Sequence, residues 1–88
     1  MNIIKGNIDE QNIFDTQDLD ITNCTHIYLK NNGSVTAYFG NRKIEAGKEA
    51  DMPFGFVVNN QIKNIRFDDT TGTKELYIML SRAIIKCN

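Results

Sequence analysis

The sequence predicts an all-β domain, a small antiparallel β-sandwich or barrel, jelly-roll-like, built from six to eight short strands. Three observations carry this reading. Apolar and polar residues alternate in short runs rich in Ile, Val, Thr, Tyr and Phe, the pattern of half-buried strands. Glycine and turn-forming Asn and Asp interrupt those runs at nearly regular intervals, most clearly between Lys30 and Phe54. The segment Leu76 to Leu80 alternates Leu, Ile and Leu with Tyr and Met after a loop of turn formers, Asp68 to Thr73.

Residues 1–11 read as an N-terminal arm or edge strand, because Gly6 and the pair Asp9-Glu10 break any apolar period. Residues 12–88 read as a single sandwich domain, with a first strand from Asn12 to Thr16. After the polar Gln17-Asp18, Leu19 and Ile21 alternate with Asp18, Asp20 and Thr22. From Thr25 to Lys30, Ile27 and Leu29 share one face, while His26, Tyr28 and Lys30 share the other. Asn32-Gly33 then predicts a tight hairpin, since both residues tolerate positive φ, joining this strand to one in which Val35, Ala37 and Phe39 face the core.

Arg42-Lys43-Ile44 is a short strand, and Gly47 supplies the free backbone angle for the turn after it. Met52-Pro53-Phe54 belongs on a sheet edge or at a strand start, because proline donates nothing to a ladder. Phe56-Val57-Val58 precedes the polar Asn59-Asn60-Gln61 turn. The spacing of Ile62, Ile65 and Phe67 slips from two to three and predicts a bend near Asn64. Leu76 to Leu80 fits helix or strand by period alone; its composition and the loop before it favour a strand, which continues toward Ile84 and Ile85.

A chain of 88 residues supports one core, contributing on the order of 3–5 kcal/mol of net stability, so partners are an expected source of more. Hydrophobic residues make up 41% and charged residues 24%, the composition of a folded globular chain. Ten basic and eleven acidic residues are interspersed, which gives no electrostatic footprint for nucleic acid. No run approaches the roughly 18 apolar residues of a membrane span, and Met1 to Gly6 is too short and polar for a signal peptide. Synthesis in the cytoplasm and no membrane partner are the expectations. Heavy use of Asn, Ile and Lys with a single Pro resembles the codon bias of an AT-rich genome, bacterial or bacteriophage.

No residue set announces catalysis, and the expectation is a protein that is not an enzyme and needs no cofactor. His26 is the one histidine, and Cys24 two residues before it would share its face of the strand, but a thiol nucleophile also needs a lowered pKa and an oxyanion site. The same pair lacks two further ligands for tetrahedral zinc. Asp15, Asp18 and Asp20 lack the glycine and bidentate glutamate of a calcium loop and read as turn caps. Cys24 and Cys87 are too few for a disulfide framework and read as free thiols that can pair only if the fold brings them together. Tyr28, Tyr38 and Tyr77 fall opposite the core residues of their strands, which makes them either a contact surface or the core of a second covered face. Met52, Phe54 and Phe56, around Pro53 and Gly55, form an apolar segment suited to docking on a neighbour.

The order Lys30-Asn31-Asn32-Gly33-Ser34, then Val35 to Gly40, then Ile44-Glu45-Ala46-Gly47-Lys48-Glu49, ending in a strand like Leu76 to Leu80, resembles small all-β accessory proteins of tailed-bacteriophage virions. The similarity spans about Ile21 to Arg82 and departs from the pattern where Lys48 separates Gly47 from Glu49. It implies a structural role in the virion, such as capsid decoration, head fibre or tail attachment, in a homo-oligomer that contacts other virion proteins. The alternative is a small ligand- or carbohydrate-binding module, cupin-like or lectin-like, with tyrosines as stacking platforms. A metal-dependent cupin is disfavoured by the single histidine.

Overall fold

The computed structural model describes residues 6–55, 58 and 61–83, so Phe56, Cys87 and the Ile84-Ile85 extension lie outside the described residues. Eight strands are present among them: β1 (Gly6–Ile13), β2 (Gln17–Asp20), β3 (Cys24–Asn31), β4 (Ala37–Phe39), β5 (Arg42–Ile44), β6 (Glu49–Pro53), β7 (Ile62–Phe67) and β8 (Leu76–Ala83). They form two four-stranded sheets, β1-β8-β3-β6 (sheet A) and β2-β7-β4-β5 (sheet B). All neighbours are antiparallel.

The pairs β1:β8, β2:β7, β3:β6 and β4:β5 are those of one long antiparallel ribbon doubled back at the β4–β5 hairpin. Successive pairs alternate between the sheets, so the ribbon is rolled, and the architecture is a jelly roll. Every connection except β4–β5 therefore passes from one sheet to the other. The hairpin has a two-residue Gly40-Asn41 loop, with Gly40 at φ 57°, in keeping with glycine at the first central position of a two-residue turn.

Alternation decides what fills the interior. Ile13, Ile27, Leu29, Ala50, Leu76, Ile78 and Leu80 point inward from sheet A. Leu19, Ala37, Phe39, Ile44, Ile65 and Phe67 answer from sheet B, and Ile21, Val35 and Val58 close the ends. Each fully buried aliphatic side chain contributes about 1.5–3 kcal/mol relative to exposure.

Four features differ from the sequence expectations. The first strand runs over Gly6–Ile13, not Asn12 to Thr16, and crosses the boundary expected after residue 11. Its apolar period is weak because β1 is an edge strand that buries only Ile13, leaving Ile8 67% exposed and the following Phe14 61% exposed. Asn32-Gly33 does not turn a hairpin, since β3 and β4 lie in different sheets. Gly33 keeps a φ outside the left-handed region and is required for close approach: a Cβ there would sit 2.2 Å from the Thr73 carbonyl oxygen and 2.8 Å from the Glu75 nitrogen. β7 runs unbroken through Asn64; the spacing slips because Ile62 faces outward, 64% exposed, while Ile65 and Phe67 face inward. Finally, the pairing of β3 with β8 shifts between Cys24 and His26, a bulge that turns Cys24 into the core and leaves His26 on the opposite face.

One buried polar side chain organises the crossover from β3. Asn31 donates from Nδ2 to the Val35 carbonyl at 2.8 Å and to the Ile44 carbonyl at 3.0 Å, while Oδ1 accepts from the Gly33 N–H at 3.0 Å. Its own N–H donates to Lys48 and its carbonyl accepts from Gly47, which sits at φ 77°. The amide thus serves backbone groups that a strand changing sheets would leave unpaired.

Candidate functional site

The rolled topology places alternate residues of β1, β8, β3 and β6 on one outward face. The register sets Glu10, Met79, Tyr28 and Asp51 in one row and Asn12, Tyr77, Lys30 and Glu49 in the next, with Ile8, Ser81, His26 and Pro53 on the other side. The rings of Tyr28 and Tyr77 meet edge to face with centroids 6.2 Å apart and planes at 65°. Carboxylates on the flanking strands take their polar tips: Tyr28 Oη donates to Glu49 Oε2 and Tyr77 Oη to Glu10 Oε1. His26 Nε2 meets Asp51 Oδ1 in the same diagonal sense.

Hydrogen bonding to Glu49 is the main reason the Tyr28 hydroxyl ionises above its ordinary range, and Glu10 does the same for Tyr77. Three carboxylates, Glu10, Glu49 and Asp51, stand against one lysine, Lys30, so the face is aromatic at its centre and acidic at its margins.

Sheet B presents a different surface. Tyr38 lies between Arg66 on β7 and Lys43 on β5. The Arg66 guanidinium carbon sits 4.0 Å from the Tyr38 ring centroid, a cation–π contact worth about 0.5–1 kcal/mol at an exposed site. Arg66 and Lys43 also approach Asp68 at 4.0 Å and Glu45 at 3.6 Å, both exposed pairs of the weak kind. Asp18 and Asp20 lie at the β2 side of this sheet.

The structure thus brings Tyr28 and Tyr77 together and separates Tyr38 from them by the thickness of the sandwich. Met52 and Phe54 pack against the core of their own chain and do not form a free apolar loop. Met52 faces inward because its β-ladder partner is the buried Ile27. Sequence reading missed Glu10, Glu49, Asp51, Arg66 and Lys43; the alternation of Glu49 and Asp51 with Ala50 and Met52 was the signal for two of them.

Burial raises the Cys24 thiol above its usual range. Asp15 and Asp20 bond to neighbouring residues as turn caps do, whereas Asp18 reaches across from β2 to β7. Asp15 accepts from the Thr16 N–H and Asp18 from Asn64 Nδ2, while Asp20 accepts from both Thr22 N–H and Oγ1, which lowers its carboxyl below the ordinary range. Among the described residues no group of three or more His, Cys, Asp and Glu is placed to hold a metal ion. Comparison with protein-family models, curated proteins and solved structures finds no match to this chain.

Proposed function

We propose that this chain is a non-enzymatic structural protein of a bacteriophage virion, acting through self-assembly or by docking on a capsid or tail lattice. The observation that carries the reading is the jelly-roll pairing of the eight strands among the described residues, an architecture used by capsid proteins and lectins. It is supported by the turn-and-strand resemblance to virion accessory proteins. The limited core also supports it, since a domain of this size gains stability by covering its faces with other protein. Its partners in this reading are copies of itself and other virion proteins, and its place is the virion after synthesis in the host cytoplasm.

The test is the absolute molar mass of the purified protein by light scattering on a sizing column across a range of concentrations. A defined trimer, pentamer or hexamer supports the reading, and a strict monomer counts against self-assembly. The Tyr28–Tyr77 pair among carboxylates favours a second reading, a carbohydrate-binding face. A monomer that binds glycans, and loses them on Tyr28→Ala while staying folded, would establish that alternative. A polar substitution at Phe54 would not probe assembly, because it would disturb the core that Phe54 packs on.

A further inference from the structure

We propose, resting on the docking side of the reading above, that the outer face of sheet A receives an arginine side chain presented by an exposed segment of a partner protein. The chain itself supplies the precedent. On sheet B the guanidinium carbon of Arg66 lies 4.0 Å from the Tyr38 ring centroid, and its Nη1 stands 4.0 Å from Asp68. Tyrosine ring, guanidinium and carboxylate there form one closed set, with the cation over the negative face of the ring.

Sheet A carries the ring and the carboxylate twice, without the cation. Tyr28 donates to Glu49 and Tyr77 to Glu10, and among the described residues neither glutamate has a basic side chain within 4.0 Å. An ionised carboxylate that accepts from one hydroxyl keeps lone pairs for a further donor. The sheet order puts the two glutamates on opposite flanks of the ring pair, Glu10 on β1 and Glu49 on β6, with the tyrosines on the two central strands. The ring planes, at 65°, make a corner and not the flat platform on which a sugar ring stacks.

Charge selects the occupant. The outward positions hold Glu10, Glu49 and Asp51 against Lys30, and His26 already meets Asp51, so the face is complementary to a cation. On sheet B, by contrast, Glu45 is approached by Lys43 and Asp68 by Arg66, and Asp18 accepts from Asn64. Arginine fits better than lysine, because a guanidinium is planar, stacks on an aromatic face and offers a carboxylate two parallel N–H donors, whereas an ammonium is a strongly hydrated point charge.

The experiment titrates the full chain, labelled with nitrogen-15, with the peptide acetyl-Gly-Arg-Gly-amide and follows the backbone amide shifts. The same peptide with citrulline keeps the shape of arginine and lacks its charge. Shifts centre on Glu10, Tyr28, Glu49 and Tyr77, spare Tyr38, and shrink as salt is raised. The citrulline peptide binds about tenfold more weakly, the loss expected for a charge-assisted contact. Glu10→Gln with Glu49→Gln leaves an acceptor for each tyrosine hydroxyl and weakens the arginine peptide about as much, while Lys30→Ala tightens it by removing the like charge. All three substituted side chains are exposed, and a thermal melt by circular dichroism verifies that the variants fold.

Shifts absent from sheet A, spread equally over Asp18 and Asp68, or identical for arginine and citrulline overturn the proposal. Shifts at the same residues with maltose and none with the arginine peptide assign the face to carbohydrate and overturn it too. A defined oligomer in light scattering that ignores the arginine peptide overturns this site alone and leaves self-assembly standing. A monomer that binds the peptide on sheet A supports the site and the docking side of the reading while removing self-assembly.

Discussion

Replacing Asn31 by aspartate changes no heavy-atom count, yet it converts the amide that donates to Val35 and Ile44 into a group with no donor when ionised. The introduced carboxylate would face two carbonyl oxygens at 2.8 and 3.0 Å in a fully buried site. It escapes by taking up a proton. Holding a carboxyl of ordinary pKa about 3.9 protonated at pH 7 spans about three units at about 1.4 kcal/mol each, or about 4 kcal/mol. The protonated acid restores only one of the two donated bonds, which adds about 1 kcal/mol. The sum, about 5 kcal/mol, meets or exceeds the 3–5 kcal/mol or so available to a domain of this size. The sign of the pH effect follows from the raised folded-state pKa: the penalty is small below about pH 4 and grows as pH rises toward neutrality. Urea unfolding followed by far-ultraviolet circular dichroism should therefore find Asn31→Asp unfolded at pH 7 and within about 1–2 kcal/mol of wild type near pH 4. A variant with the wild-type urea midpoint at pH 7 would refute the role assigned to the Asn31 amide.

Gly33→Ala should cost about 3 kcal/mol, because its Cβ would meet backbone atoms of Thr73 and Glu75 that cannot turn aside, whereas Gly47→Ala should cost about 1–2 kcal/mol from its positive φ alone, with nothing within 4 Å of the new carbon. Reversal of that order in urea midpoints would contradict the close-approach argument. Arg82 donates to the carbonyls of Thr22 at 2.7 Å and Asp20 at 2.6 Å and to Asp9 at 3.0 Å, so Arg82→Met should lower stability by about 2–3 kcal/mol, and Arg82→Lys should recover only part of it because a point charge cannot span the three acceptors. The bonds to Glu49 and Glu10 hold Tyr28 and Tyr77 protonated above pH about 10, and the stability they add is present below that range and lost as pH climbs through the raised values. Near-ultraviolet absorbance of tyrosinate should accordingly show late-titrating phenols that Tyr28→Phe and Tyr77→Phe each reduce; an unchanged titration curve in both would count against those hydrogen bonds.

Strand content was legible because period-two alternation is a local property. Ile27 and Leu29, Ala37 and Phe39, and Leu76, Ile78 and Leu80 all point inward as their spacing requires. Strand partnership was not legible, because alternation says which side of a strand is buried and nothing about which sheet the strand joins. Asn32-Gly33 shows the limit. Both flanking runs face the core, but from opposite sheets, and the glycine serves a close backbone approach where the dipeptide rule expects positive φ. The candidate face was half visible for the same reason. Tyr28 and Tyr77 were correctly set opposite the core, yet their meeting depends on β8 inserting between β1 and β3, a pairing fixed by the roll of the whole chain. A bulge is equally silent in sequence, and one extra residue at Thr25 was enough to part Cys24 from His26.

The edges of both sheets are built against strand-to-strand pairing with another chain. β1 carries Asp9 and Glu10, β2 carries Asp18 and Asp20, β5 carries Arg42 and Lys43, and β6 ends in Pro53, so every terminal strand bears a device that resists edge-to-edge pairing. An antiparallel β1–β1 contact would bring acidic side chains together, and β5–β5 would do the same for basic ones. The unlike combination, β1 with β5, is limited by the three residues of β5. What the edges deny, the broad faces allow: twelve outward positions on sheet A, in three registered rows, offer a wider platform than any one edge, with aromatic area at its centre and charge at its rim.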